Sequence, residues 1–105
     1  MDRDYDGAVI RSARLGPRHE LTLELDIWPK HNTATDRTGS QFAEVRFGGI
    51  SNYDEVARGF ENLNVHESLH HMRDALGSKP TRRLIDVEFD RTGQRIRIIA
   101  NHVTE

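Results

Sequence analysis

The stretch Leu21-Thr22-Leu23-Glu24-Leu25-Asp26-Ile27 decides the fold class. Its leucines and Ile27 fall on one side of an extended chain, while Thr22, Glu24 and Asp26 fall on the other. Side chains of a strand alternate with period two, so this segment reads as a strand with one apolar and one charged face. Such strands belong to antiparallel sheets that are wet on one side. The pattern returns in Ala43-Glu44-Val45-Arg46-Phe47, in Ile85-Asp86-Val87-Glu88-Phe89 and in Arg95-Ile96-Arg97-Ile98, with a weaker strand from Ala8 to Leu15. Gly16-Pro17-Arg18-His19 has hairpin chemistry between the first two strands. Asp90-Arg91-Thr92-Gly93 joins the last two, with Gly93 suited to the left-handed position of a type I turn with a bulge. The same four residues recur at Asp36-Arg37-Thr38-Gly39, but their flanks do not match, so the recurrence is turn chemistry and not a duplication. Pro29 to Ser40 reads as a polar loop or a hairpin tip.

The middle of the chain changes period. Asn64 followed three positions later by Glu67 has the form of a capping box. Val65, Leu69, Met72 and Leu76 then recur at helical spacing, and Gly77 with Pro80 closes the segment, so the spacing predicts a helix over Val65 to Leu76. Between Ser51 and Leu63 two readings stay open. Ser51 and Asp54 suit a second capping box, and Tyr53, Val56, Ala57 and Phe60 share a helical face; Gly59 weighs against a helix by about 1 kcal/mol relative to alanine. The expected architecture is α+β: a mainly antiparallel sheet of about five to six strands, with one or two short helices in the middle of the chain.

A length of 105 residues suits one domain over 1–105, with residues 1–6 as a flexible tail. Net charge is −2 with both signs mixed along the chain, which argues against the clustered cations that bind nucleic acid. No apolar run approaches the roughly 18 residues of a membrane span. The opening Met1-Asp2-Arg3-Asp4-Tyr5-Asp6 lacks a signal-peptide profile, so a cytoplasmic location is expected. With no cysteine, any metal must be held by His, Asp or Glu. Asp2 to Gly7 imitates the start of a calcium loop, but Ala13 stands where the bidentate Glu belongs.

Six histidines are present, and His66-Glu67-Ser68-Leu69-His70 matches H-E-x-x-H. On a helix, residues four apart share a face, so His66 and His70 would bind one zinc and Glu67 would polarise its water as general base. The segment resembles the zinc-binding helix of the zincin metallopeptidases over about ten residues. Several features oppose this. Glu67 already has a role in the capping box, and Arg73 would place a cation one turn beyond His70. Glu88 lies downstream at a plausible distance for a third ligand, but in the Glu-type zincins that ligand comes from a helix and Glu88 sits in a strand. A histidine-rich amphipathic helix is the favoured reading; a minimal zinc hydrolase using His66, His70 and Glu88, with Glu67 as base, is the alternative. His31 and His102 are isolated and read as surface or strand-edge residues.

Several short segments resemble the immunity protein 50 family of small bacterial proteins. They are Tyr5-Asp6-Gly7, Leu21-Thr22-Leu23-Glu24-Leu25, Val45-Arg46-Phe47-Gly48-Gly49-Ile50 and Gly59-Phe60-Glu61-Asn62-Leu63-Asn64-Val65. The resemblance implies an extended segment around Tyr53 to Arg58, no catalytic residues, and a role in neutralising a partner protein, commonly a toxin from a neighbouring gene. The leading expectation is a non-enzymatic protein-binding domain. Its candidate contact residues are Trp28, at the end of an apolar strand face, and the charged positions Glu24, Asp26, Glu44 and Arg46. A homodimer through a sheet edge is a further possibility.

Overall fold

A computed structural model describes residues 1–28, 39–61, 63 and 67–105. Among these residues seven strands form two antiparallel sheets. One contains β1 (Val9–Gly16), β2 (Glu20–Ile27), β3 (Gln41–Gly48) and β7 (His102–Thr104), in that order; the other contains β4 (Leu69–Asp74), β5 (Arg83–Phe89) and β6 (Arg95–Ala100). The helix α1 (Tyr53–Glu61) lies between β3 and β4 in the chain. The fold is therefore α+β and mainly antiparallel, as the alternating segments require. Among the described residues no helix is long and apolar enough to cross a membrane.

The inward faces follow from the sequence. Leu21, Leu23 and Leu25 of β2 with Val45 and Phe47 of β3 meet Met72, Ile85, Val87, Phe89 and Ile98 of the second sheet in one buried cluster. The sheets also join at both margins. On one side Val9 and Ser68 form a bridge, the Ile10 amide donates to the Glu67 carbonyl, and the Leu69 amide donates to the Ala8 carbonyl. On the other, β6 passes into β7 through Asn101 alone, whose amide donates to the Gly48 carbonyl. Strands that switch sheets at a bend are how two sheets share a corner.

The segment from Ser51 to Leu63 resolves in favour of the periodicity. Tyr53–Glu61 is helical, with Val56 and Phe60 buried, so the extended conformation implied by the family resemblance does not occur there. Ser51 does not cap it, because its hydroxyl donates to the Ile99 carbonyl. Asn52 ties the helix start to β6: its side-chain amide donates to the Arg97 carbonyl and its oxygen accepts from the Ile99 amide.

The helix expected over Val65 to Leu76 is not formed; Leu69–Asp74 is strand β4. The reason lies in a β-bulge. Leu69 pairs with Phe89 and His71 with Glu88, so β4 carries one more residue than β5 at this point. That extra residue stretches the inward spacing from two to three, placing Leu69 and Met72 in the core at an interval that imitates a helix turn. Leu76, the last member of the supposed stripe, is fully exposed in the turn after β4. Val65 lies outside the described residues. The N-terminal residues do not form a loose tail: Tyr5 is in the core, and the terminal ammonium pairs with Asp74.

Candidate functional site

Two outward faces gather the chemistry-bearing side chains. The first belongs to β4–β6. In a regular strand His70 and His71 would point to opposite faces. The bulge turns both to the same one, where they face Glu88 across the pair. His70 Nε2 is 3.5 Å and His71 Nδ1 3.7 Å from Glu88 Oε2, and the two imidazole centroids are 5.5 Å apart. One ligand atom from each of the three residues falls within 4.8 Å of the others.

Glu88 is only 14% exposed, whereas His70 is 61% exposed. The Glu88 carboxylate is oriented from its other side, because Arg95 Nε donates to Oε1 at 2.6 Å. That hydrogen bond holds the Glu88 carboxyl below the ordinary carboxylate range. His70 Nδ1 looks toward Asp90 Oδ1 at 3.8 Å. One row along the same face, Asp86 accepts from Arg97 at 2.8 and 3.2 Å, which likewise lowers its pKa.

The zinc-helix geometry is not present. His66 lies outside the described residues, and Glu67 is not on a helix: it precedes β4 with its carbonyl bound to Ile10. Its carboxylate is buried beside Arg91, whose Nε is 3.4 Å from Oε1, an atom without a well-formed hydrogen bond. Of the metal residues that the alternative zinc reading names, His70 and Glu88 do converge. His71, which no motif singled out, takes part because of the bulge, a feature visible only once β4 and β5 are paired.

The second face belongs to β1–β3. Glu24 stands opposite Glu44, Thr22 opposite Arg46 and Asp26 opposite Phe42, so the charged positions expected to contact a partner share one surface. Arg14 neutralises Glu24 at 3.1 Å, Arg46 neutralises Glu44 at 2.6 Å, and Arg11 reaches Asp26 at 3.6 Å. Arg11 occupies a second bulge, between Ile10 and Ser12, and its guanidinium lies 5.7 Å from the centroid of the Phe42 ring. Trp28 follows directly after β2, two residues beyond Asp26. Trp28 is 47% and Phe42 52% exposed. Phe42 escaped the sequence reading because its neighbours Ala43 and Val45 set the inward parity, leaving an aromatic at an outward position.

Beside this face, β7 pairs only with Arg46, Phe47 and Gly48, so among the described residues Gln41–Val45 present an open strand edge. A groove of about 400 Å³ follows that edge, lined by Arg3, Phe42, Glu44, Arg46, Thr104 and Glu105. The chain matches no family model, no curated protein and no solved structure.

Proposed function

We propose that this chain works by binding a protein partner, taking an extended segment of it along the open edge of β3 with Phe42 and Trp28 as side-chain anchors. The carrying observation is a half-exposed aromatic, Phe42, within a run of five β3 residues that pair with β2 on one side and with no described strand on the other; Trp28, half-exposed directly after β2, is the second aromatic. Backbone groups of an open edge supply affinity by strand addition, and neighbouring side chains supply selectivity. Trp and Arg are enriched where binding energy concentrates, and Arg11 stands on the Phe42 ring. The carboxylates Glu24 and Glu44 are already paired with Arg14 and Arg46, so covering the face would not strand them as isolated charges. The groove continues the line of β7, where an added strand would lie end to end with it. The short segments that resemble the immunity protein 50 family imply a partner protein as well, and under that reading the occupant is a toxin; they say nothing of the strand edge.

The test is a partner recovered from the source cell, purified, and titrated against wild type, Trp28→Ala and Phe42→Ser. Loss of about 2 kcal/mol or more per variant is expected, together with protection of the Gln41–Val45 amides from hydrogen exchange. A partner whose affinity ignores both substitutions, or whose footprint falls on β4–β6, overturns the proposal. So does a homodimer that Phe42→Ser dissociates, because the edge would then belong to a second copy of this chain.

A further inference from the structure

We infer that His70, His71 and Glu88 form a binding site for a zinc-class divalent cation on the outer face of β4–β6. The donor set is two imidazoles and one carboxylate, which suits borderline transition metals and not the all-oxygen preference of magnesium or calcium. Zinc takes nitrogen and oxygen ligands at about 2.0–2.2 Å in a tetrahedron, whose edges are therefore about 3.3 Å. The observed separations of 3.5 and 3.7 Å from the two imidazole nitrogens to Glu88 Oε2 are close to such an edge. Small rotations of the exposed His70 side chain complete the approach.

The surroundings are arranged for the same purpose. Arg95 occupies Oε1 of Glu88 and leaves Oε2 directed at the histidines, so the carboxylate binds through one oxygen. When His70 ligates through Nε2, its Nδ1–H faces Asp90, the carboxylate–histidine–metal relation that fixes a tautomer and raises ligand basicity. The guanidinium of Arg95 opposes the cation electrostatically, and Asp90 offsets it. Three protein ligands leave a fourth position to water, as in zinc sites that exchange a ligand. The two histidines are adjacent in the chain, and the bulge that lets them share a face is a local cost to the β4–β5 ladder. This site is not the H-E-x-x-H arrangement: it needs His71, which that motif lacks, and it does not need His66 or Glu67.

The experiment is zinc titration of the untagged protein in competition with a chromophoric chelator, followed by cobalt substitution to read coordination number. One equivalent is expected to bind, with a four-coordinate cobalt spectrum and no competition from magnesium or calcium. His70→Ala, His71→Ala and Glu88→Gln each weaken it by at least about tenfold, while His102→Ala and His66→Ala leave it unchanged. His70→Ala alters an exposed side chain, so its loss of binding is read in a folded protein, checked by circular dichroism. Absence of binding at millimolar zinc overturns the inference. Binding that survives His71→Ala but not His66→Ala also overturns it, in favour of the helical motif.

Discussion

Tyr5 places a phenol in the core at 1% exposure, and its hydroxyl makes no hydrogen bond of acceptable geometry. Burial raises its pKa well above the ordinary phenol value of about 10, and the nearby Glu105 carboxylate adds to the effect. The folded state thus favours the neutral form. Its contribution is complete below pH 10 and is lost as pH rises from there toward the folded pKa, because only the unfolded phenol ionises in that window. Tyr5→Phe removes the titration. At pH 7 the variant is expected within about 1 kcal/mol of wild type, since an unbonded buried hydroxyl contributes little. By pH 11 wild type should have lost about 1.4 kcal/mol that the variant keeps. Urea melts at the two pH values check this; equal alkaline losses would place the Tyr5 hydroxyl in water. Residues of this kind were hard to read in sequence. Tyr5 sits among Asp2, Asp4 and Asp6, a context that reads as solvated tail, and only the docking of the N-terminal segment against Leu69 and Asp74 shows otherwise. His71 was hidden for a related reason: which face it joins depends on a pairing register that no local pattern states.

At the scale of elements, legibility follows regularity. β2, β3, β5 and β6 alternate without interruption and were readable; β7, with three residues, is too short to show a period. β4 was misread because one inserted residue converts period two into a spacing of three. α1 has an apolar face at helical spacing, but Gly59 and the family resemblance keep helix and extended chain both open there, and the structure explains that glycine. A Cβ at position 59 would overlap Ile96 Cδ1 and come within 2.9 Å of Cγ1, so the helix can approach β6 only because none is there. Helix propensity alone predicts that Gly59→Ala stabilises by about 1 kcal/mol. Overpacking against a residue only 5% exposed should reverse the sign, destabilising by about 1–3 kcal/mol. The expected rescue is Gly59→Ala combined with Ile96→Ala, a double variant less destabilised than the sum of its singles. Thermal melts of the four proteins decide it, and additivity would mean that the two residues do not share the space.

At the scale of the molecule, the two sheets share one buried cluster and are stitched at both margins, so they should melt together. Trp28 directly follows β2 and reports the first sheet by fluorescence; His70 and His71 report the second by NMR. Coincident denaturation midpoints for the two probes are the two-state expectation. The weaker margin is the passage from β6 to β7, where Asn101 is the sole connecting residue and three pairings hold β7 to β3. A short tether keeps β7 positioned against β3 at little entropic cost, and lengthening it removes that advantage. Inserting two glycines after Asn101 should release β7, exposing the remaining edge of β3 and lowering stability by about 1–2 kcal/mol. Because the Val9–Ser68 bridge and the common core remain, the two probes should still move together, only at lower denaturant. If instead the Trp28 signal melts before the histidine signals, β7 is what couples the sheets. The open edge of β3 would then be part of a separately unfolding unit, and a partner strand bound there would raise the midpoint of the first sheet alone.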